Sequence, residues 1–376
     1  MVMQAGPSLL YVAPVVPALT GNGLAMRAGM VLEALCASFQ VWVLVVPLYP
    51  SAADQIPEPL SRLCQACIVA SEADAAEAYK SVEFDVVHVF RMAAVPFARP
   101  YLQPPGRRPK RHLDLDDIES GVQARIAELM RANGDLQHAA EEQARSKRTR
   151  MLEASLLPFF DRVYVCSKED RSELSERCRS EICILPNAVR EPARIVGPSE
   201  AAEFRFLFLA TFGYYPNHDA AVFFCTQVLP LMRRAINGAF GVDLVGTGVS
   251  SELAQLAADC GVRVTGPVPD VAPWYEQASA VIVPMRAGGG TRIKILEAFS
   301  YLRPVVSTGA GVQGIEAGDG EHVLVADTPE SFAAQCRRLT AEPALRASLS
   351  EQARALWQKC YTPEAVRASL ARGAHA

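Results

Sequence analysis

The chain has 376 residues, half of them hydrophobic and 21% charged, with a formal net charge of −4. This is a globular composition, long enough for two domains of ordinary size, with no overall drive toward nucleic acid. No run reaches the roughly 18 uncharged apolar residues of a membrane span, and the opening MVMQAGPSLLYVAPVVPAL lacks a basic n-region and reads as a first strand rather than a signal peptide.

The first half alternates strands and helices. Leu9 to Val16 is an apolar strand, Pro17 to Gly23 a loop, and Leu24 to Phe39 an amphipathic helix with Ala28, Leu32, Leu35 and Phe39 on one face. The loop holds Gly21-Asn22-Gly23, with Arg27 one turn into the helix. A GxGxxG fingerprint is absent, so the stretch is either a turn and cap or a ligand loop. Val41 to Val46 and Ile68 to Ala70 read as strands, Glu72 to Lys80 as helix. Phe84 to Phe90 is a buried strand carrying His88, which is either a core residue or, near a strand's C-terminal end where α/β ligands gather, a base.

Leu102 to His112 is rich in proline and basic residues (Arg107, Arg108, Lys110, Arg111), either a solvated loop or a patch for an anionic acceptor or membrane surface. LDLDDIES at 113–120 contains a DxD pattern, Asp114 to Asp116, of the kind that holds a metal-bound nucleotide elsewhere. It lies far from the glycine loop described below, so no metal is expected. A short strand would end there, leaving Asp116 or Asp117 either to orient or deprotonate a hydroxyl or to cap the next helix. Ile126 to Leu156 reads as two helices broken at Gly134, with Arg145, Lys147, Arg148 and Arg150 on a solvated face. Phe160 to Val165 is a strand, Ser167 caps a helix from Lys168 to Cys178, Ile182 to Leu185 is a strand, and Pro186-Asn187 ends the first domain. Ten cysteines lie scattered, most in apolar or helical stretches, as reduced buried thiols do in a cytoplasmic protein. Cys64 and Cys67 form one CxxC without a second pair at metal spacing, so zinc or redox chemistry is not expected there.

Arg190 to Glu203 reads as a linker, with Pro192, Gly197 and Pro198. Beyond it, Phe206 to Ala210 is a strand, Thr211 to Asn217 a loop, Val222 to Arg234 a helix, and Gly241 to Val245 a strand running into Gly246-Thr247-Gly248. Val262 to Thr265 leads into Gly266-Pro267-Val268, and Asp270 to Ala278 is a short helix. The stretch from Val281 to Val306, VIVPMRAGGGTRIKILEAFSYLRPVV, then reads as strand, glycine loop, helix, strand. Gly309 to Gly314 is a further glycine-rich loop, Val323 to Ala326 the last strand, and Pro329 to Leu339 and Ala344 to Lys359 are helices.

A helix start leaves backbone N–H groups unpaired and carries partial positive charge, and glycines let a ligand approach that backbone closely. Arg286, Arg292 and Lys294 surround the turn at Gly288-Gly289-Gly290-Thr291. Three cations and a helix start imply an anion, best met by a diphosphate. Glu297 falls on the stripe of Thr291 and Lys294, where a carboxylate accepts from sugar hydroxyls; together these spell a ribose diphosphate. The plainer reading is a βαβ unit with a tight turn and a surface Lys294–Glu297 pair.

Residues 281–306, with YYPNHDA at 214–220 and VPDVAPWYEQASAVIVP at 268–284, resemble the C-terminal half of GT-B glycosyltransferases of the large group 1 family (family 4), in a branch with the form GGGTR-x-K-x-LEA. The likeness extends more thinly over nearly the whole chain. It implies two doubly wound Rossmann-like domains facing across a cleft: residues 1–190 on the acceptor side, 204–355 on the nucleotide sugar, and 356–376 returning to the first domain. It implies a donor such as a UDP- or GDP-sugar, a sugar, lipid-linked or small-molecule hydroxyl acceptor, retention of configuration and no strong protein nucleophile. Bacterial members often build surface polysaccharides, which would bring the inner membrane face into reach.

By residue, the resemblance puts Glu297 on the ribose. The first of the family's two glutamates would fall at Gly289, so how the donor sugar is held departs from the pattern. Gly213, with Tyr214 and Asn217, stands in a loop that usually adds an Arg and a Lys; neither is present, so Arg286, Arg292 and Lys294 are expected to supply the charge, and Arg292→Ala to raise the donor dissociation constant sharply. Gly266 and Val268 would border the base. Gly21, Gly23 and Arg27 would touch donor or acceptor, and Asp116 or Asp117 stands where many members have a histidine. Besides a transferase, an epimerase on the same fold or a nucleotide-sugar binder without turnover fits these residues.

Overall fold

The computed structural model describes residues 6–49, 54–104, 106, 108–196 and 203–374. Arg107 of the basic stretch and Gly197 and Pro198 of the linker lie outside the described residues. The chain clusters into two units, the first 1–120, 145–188 and 363–376, the second 121–144 and 189–362.

In the first unit, described strands β1 (Ser8–Ala13), β2 (Gln40–Val45), β3 (Ala66–Val69), β4 (Val86–Phe90), β5 (Lys110–Asp116), β6 (Arg162–Val165) and β7 (Glu181–Ile184) form one parallel sheet, in the order β3-β2-β1-β4-β5-β6-β7. Strands of a parallel sheet are covered on both faces and read as apolar runs. Leu10, Val12, Leu44, Val87 and Val89 pack on one side, and Leu9, Tyr11, Ala13, Val43 and Val45 on the other, the period-two alternation of a strand. Each such aliphatic side chain contributes about 1.5–3 kcal/mol by burial. The helix Gly23–Cys36 covers the second side, its Asn22 cap accepting from the Ala25 amide, and the C-terminal helix Pro363–Ala374 packs beside it through Val366.

In the second unit, β8 (Phe204–Leu209), β9 (Phe240–Val245), β10 (Arg263–Thr265), β11 (Ala280–Val283), β12 (Val305–Ser307) and β13 (Leu324–Val325) make a second parallel sheet, ordered β10-β9-β8-β11-β12-β13. One core runs through it, from Phe206 and Phe208 to Trp357, whose indole donates to the Val189 carbonyl at 3.2 Å.

Several elements differ from expectation. Glu72 to Lys80 is a series of turns, not a helix. Lys110 to His112, expected in a solvated loop, belongs to β5, where pairing to β4 and β6 buries Arg111 and His112. The helix after β8 begins at Tyr215, not Val222, because Pro216 near its start is already set at a helical φ. It continues through a π-turn, Phe224–Val228, into Leu229–Ala235. Gly309–Val312 is a helical turn capped by Thr308 rather than an open loop.

Candidate active site

In an open parallel sheet, ligands gather beyond the strand C-termini where the strand order reverses. In the second sheet that point lies between β8 and β11. The loops leaving these two strands are Ala210–Tyr214 and Pro284–Arg292, the two glycine-bearing loops of the sequence. The first is held by backbone packing: the Phe212 amide donates to the Thr247 carbonyl at 2.7 Å, and a Cβ on Gly246, at φ +143°, would meet the Ala210 carbonyl at 1.8 Å. Gly246→Ala should therefore cost about 3 kcal/mol, lowering the thermal midpoint by about 6–12 °C for a unit of this size; an unchanged midpoint by calorimetry would refute this packing.

The second loop is held by arginines. The helix following it is Ile293–Ser300, with Arg292 as its N-cap, two residues later than the expected start at Gly290-Thr291. Gly288 and Gly290 sit at φ +134° and +64°, conformations that glycine adopts without a steric penalty. Arg292, only 6% exposed, does not reach out to an anion. Its guanidinium donates to the carbonyls of Gly289, Gly290 and Ala310. Arg286 is likewise committed, bridging both carboxylate oxygens of Asp219 and donating to Asn133 Oδ1 at 2.9 Å while lying over the Phe223 ring. Of the three expected phosphate cations, two thus shape the loop. The third, Lys294, places Nζ 3.0 Å from Asn217 Oδ1 and 4.8 Å from the Phe208 ring centre. Burial, with Arg292 adding repulsion, pulls its ammonium down to about 7. Asn217 is fixed in turn by donating to the Thr211 carbonyl at 2.9 Å, so the loop after β8 contributes through it to the site of Lys294.

Glu297 is not on an open stripe as the spacing suggested. It is 9% exposed, and Oε2 accepts from the Tyr275 hydroxyl at 2.8 Å. Burial raises its carboxyl to about 7, against the lowering by Tyr275 and Lys294. Tyr275 stacks on Tyr301 at 4.9 Å with an 8° tilt. Thr291 is buried. Around Gly266 nothing lies within 4 Å of a built Cβ, leaving room for a flat group, and Val268 packs against the core beside it. Gly213 lies against Gly248, and Tyr214 is 41% exposed.

In the first unit, Asp116 ends β5 and Asp117 follows it, where the pairing register to β6 shifts between Asp114 and Asp116 and re-aims the strand end. Asp116 holds φ +64° and, one strand over, Arg91 holds φ +65°. Left-handed backbone in non-glycine residues costs free energy and concentrates at functional sites. Asp116 Oδ1 lies 3.2 Å from Arg27 Nε, and Arg91 Nη1 donates to Asp117 Oδ1 at 2.5 Å. Burial raises the Asp116 carboxyl to about 6; Arg27 and Arg91 oppose this, and Asp117 and Asp114 add to it.

Two expectations fail here. Arg27 is 1% exposed: it donates to Asp114, Asn187 and the Leu185 carbonyl, so it organises strand ends from within the core instead of facing solvent. Gly21 precedes its helix and Gly23 opens it beside the Asn22 cap, and both glycines are exposed. His88 is fully buried among the rings of Tyr11, His112 and Tyr164, and burial, with Arg27 nearby, lowers its imidazole to about 3. A neutral ring without access to solvent is no base. Arg91, Asp219, Asn133, Arg125 and Tyr275 were missed. Arg91 had a legible signal, a cation just past the apolar strand Phe84 to Phe90; the others join the site through partners distant in sequence.

Among the described residues, no group of three or more His, Cys, Asp or Glu could hold a metal, and no helix is long and apolar enough to cross a membrane.

Residues 203–342 match the family described as Glycosyl transferases group 1. Among solved structures, the chain is similar to sucrose-phosphate synthase from Thermosynechococcus elongatus, at 15% identity over 98% of both chains with a TM-score of 0.71. It is also similar to HepE of Anabaena in complex with UDP-glucose, at 13% identity over 98% of this chain and 99% of that one, TM-score 0.71. A glycosyltransferase from Rickettsia africae aligns at 14% identity over 97% of both chains, TM-score 0.65. No curated protein matches. These likenesses establish a two-domain Rossmann-like GT-B fold, and with the matched domain they define a glycosyltransferase.

Proposed function

We propose that the protein moves a sugar from a nucleoside diphosphate donor, a UDP- or GDP-sugar, to a hydroxyl acceptor, with retention and without a metal. The carrying observation is that both glycine loops leave β8 and β11 at the switch point of the second sheet, with Lys294 and Glu297 beside them. Lys294 would neutralise charge on the departing diphosphate, Glu297 would accept from the ribose hydroxyls, and the open surface at Gly266 and Val268 would face the base. HepE has been captured with UDP-glucose, which supports a uridine nucleotide as the first donor to try.

We read 204–355 as the donor domain, 1–190 as the acceptor-side domain and 356–376 as its returning segment. Asp116, supported by Asp117, is the candidate to orient or deprotonate the acceptor hydroxyl. A sugar or lipid-linked acceptor in bacterial glycoconjugate synthesis, met at the cytoplasmic face of the membrane, completes the reading. Incubation with a panel of nucleotide sugars tests it. Slow release of UDP or GDP, accelerated by an acceptor, is the expected outcome; interconversion of the sugars would mark an epimerase, and saturable binding without product a binder.

A further inference from the structure

The segment between β5 and β6 supplies a guanidinium to the glycine turn from outside the turn's own sequence. Residues 121–144 cluster with the second unit, and from them Arg125 Nε donates to the Gly288 carbonyl at 2.9 Å. Arg292 Nη1 donates to the next two carbonyls, those of Gly289 and Gly290. Every carbonyl of the glycine run is therefore turned toward a guanidinium. A trans peptide is planar, so the N–H of each following residue points the opposite way. With the Gly288 carbonyl held by Arg125, the Gly289 N–H points away from that guanidinium, and with the Gly289 carbonyl held by Arg292, the Gly290 N–H points away from Arg292.

Resting on the reading of this loop as the donor diphosphate site, we propose that Arg125 is a positioning residue. It locks the Gly288 peptide so that the Gly289 amide, not the Gly288 carbonyl oxygen, faces the diphosphate. Arg125 acts through the loop backbone, as Arg292 does at the next two carbonyls. Asn133 serves the same loop from the same segment, accepting from Arg286 and donating to Asp219 at 2.7 Å.

The test compares wild type, Arg125→Ala and Arg125→Gln, the last retaining most of the stem should the alanine variant fail to fold. Titration calorimetry with UDP, GDP, ADP and TDP identifies the diphosphate that wild type binds, and ligand-observed NMR with the matching nucleoside reports binding without phosphates. The expected result is a rise of about tenfold or more in the dissociation constant for the diphosphate, with nucleoside affinity and the nucleotide-free melting midpoint unchanged. Wild-type affinity for the diphosphate in both variants would overturn the role of Arg125 alone. Equal losses for diphosphate and nucleoside would also overturn it, by showing collapse of the whole site. Failure of wild type to bind any of the four would overturn the donor-site reading and this role with it.

Discussion

Lys294→Ala should weaken UDP binding by about 10- to 100-fold, the worth of one charge-assisted contact, and lower turnover of the donor by on the order of 10²–10³. Arg286 and Arg292 are committed to Asp219 and to backbone carbonyls, so within the loop and its helix the mobile positive charge rests on this lysine. Its protonation adds a signature. In the free protein burial holds the ammonium at about 7, and a bound diphosphate would raise it again. Above pH 7 binding must therefore take up a proton, and affinity should fall about tenfold per pH unit there. Below pH 7 the lysine is already charged, and the dependence that remains is that of Glu297, whose carboxyl protonates there and loses an acceptor for the ribose. Glu297, also near 7, is ionised at pH 8 and contributes little at that pH. Calorimetry at pH 8 in Tris and in HEPES, whose ionisation enthalpies differ, should report uptake of close to one proton for wild type and none for Lys294→Ala. Equal apparent enthalpies in the two buffers for wild type would refute this assignment.

Asp116→Asn should reduce kcat by on the order of 10²–10⁴, the range of a lost general base, while leaving UDP affinity within about twofold, since among the described residues none of its contacts is to a residue of the nucleotide loop. Asparagine visits left-handed backbone as readily as aspartate, so the strand end at φ +64° should persist and the loss should report the carboxylate itself. The carboxyl titrates near 6 because burial outweighs the pull of Arg27 and Arg91. The base form is therefore present above pH 6 and lost below it. Wild-type kcat/KM should rise with pH to a plateau reached about one unit above 6, and residual activity of the variant should lack that limb. A variant with full kcat would move the proton elsewhere.

Much of what followed from local periodicity was legible in the sequence, though Glu72 to Lys80 is not a helix. The apolar run Ala280 to Val283, the glycine turn and the helix carrying Ile295 and Phe299 stand where their spacing put them, and parallel sheets follow from strands apolar on both faces. Local spacing could not reveal partners brought in from afar. Arg27 stands one turn into its helix, where a contact to donor or acceptor is expected, yet Asp114, 87 residues on, pairs with it in the core. Glu297 looked like an open helix position, yet Tyr275 covers it from the preceding helix. Arg292 looked like a phosphate ligand, and only the left-handed turns at Gly288 and Gly290 bring the carbonyls of this loop round to it. Its replacement by alanine should still weaken donor binding, through loss of loop shape rather than loss of a direct contact.

The most direct measurement is a crystal structure of the protein grown with UDP. The account predicts pyrophosphate density against the turn from Gly288 to Thr291 within reach of Lys294 Nζ, and the ribose hydroxyls on Glu297. Nucleotide bound elsewhere while this turn stays empty would contradict it.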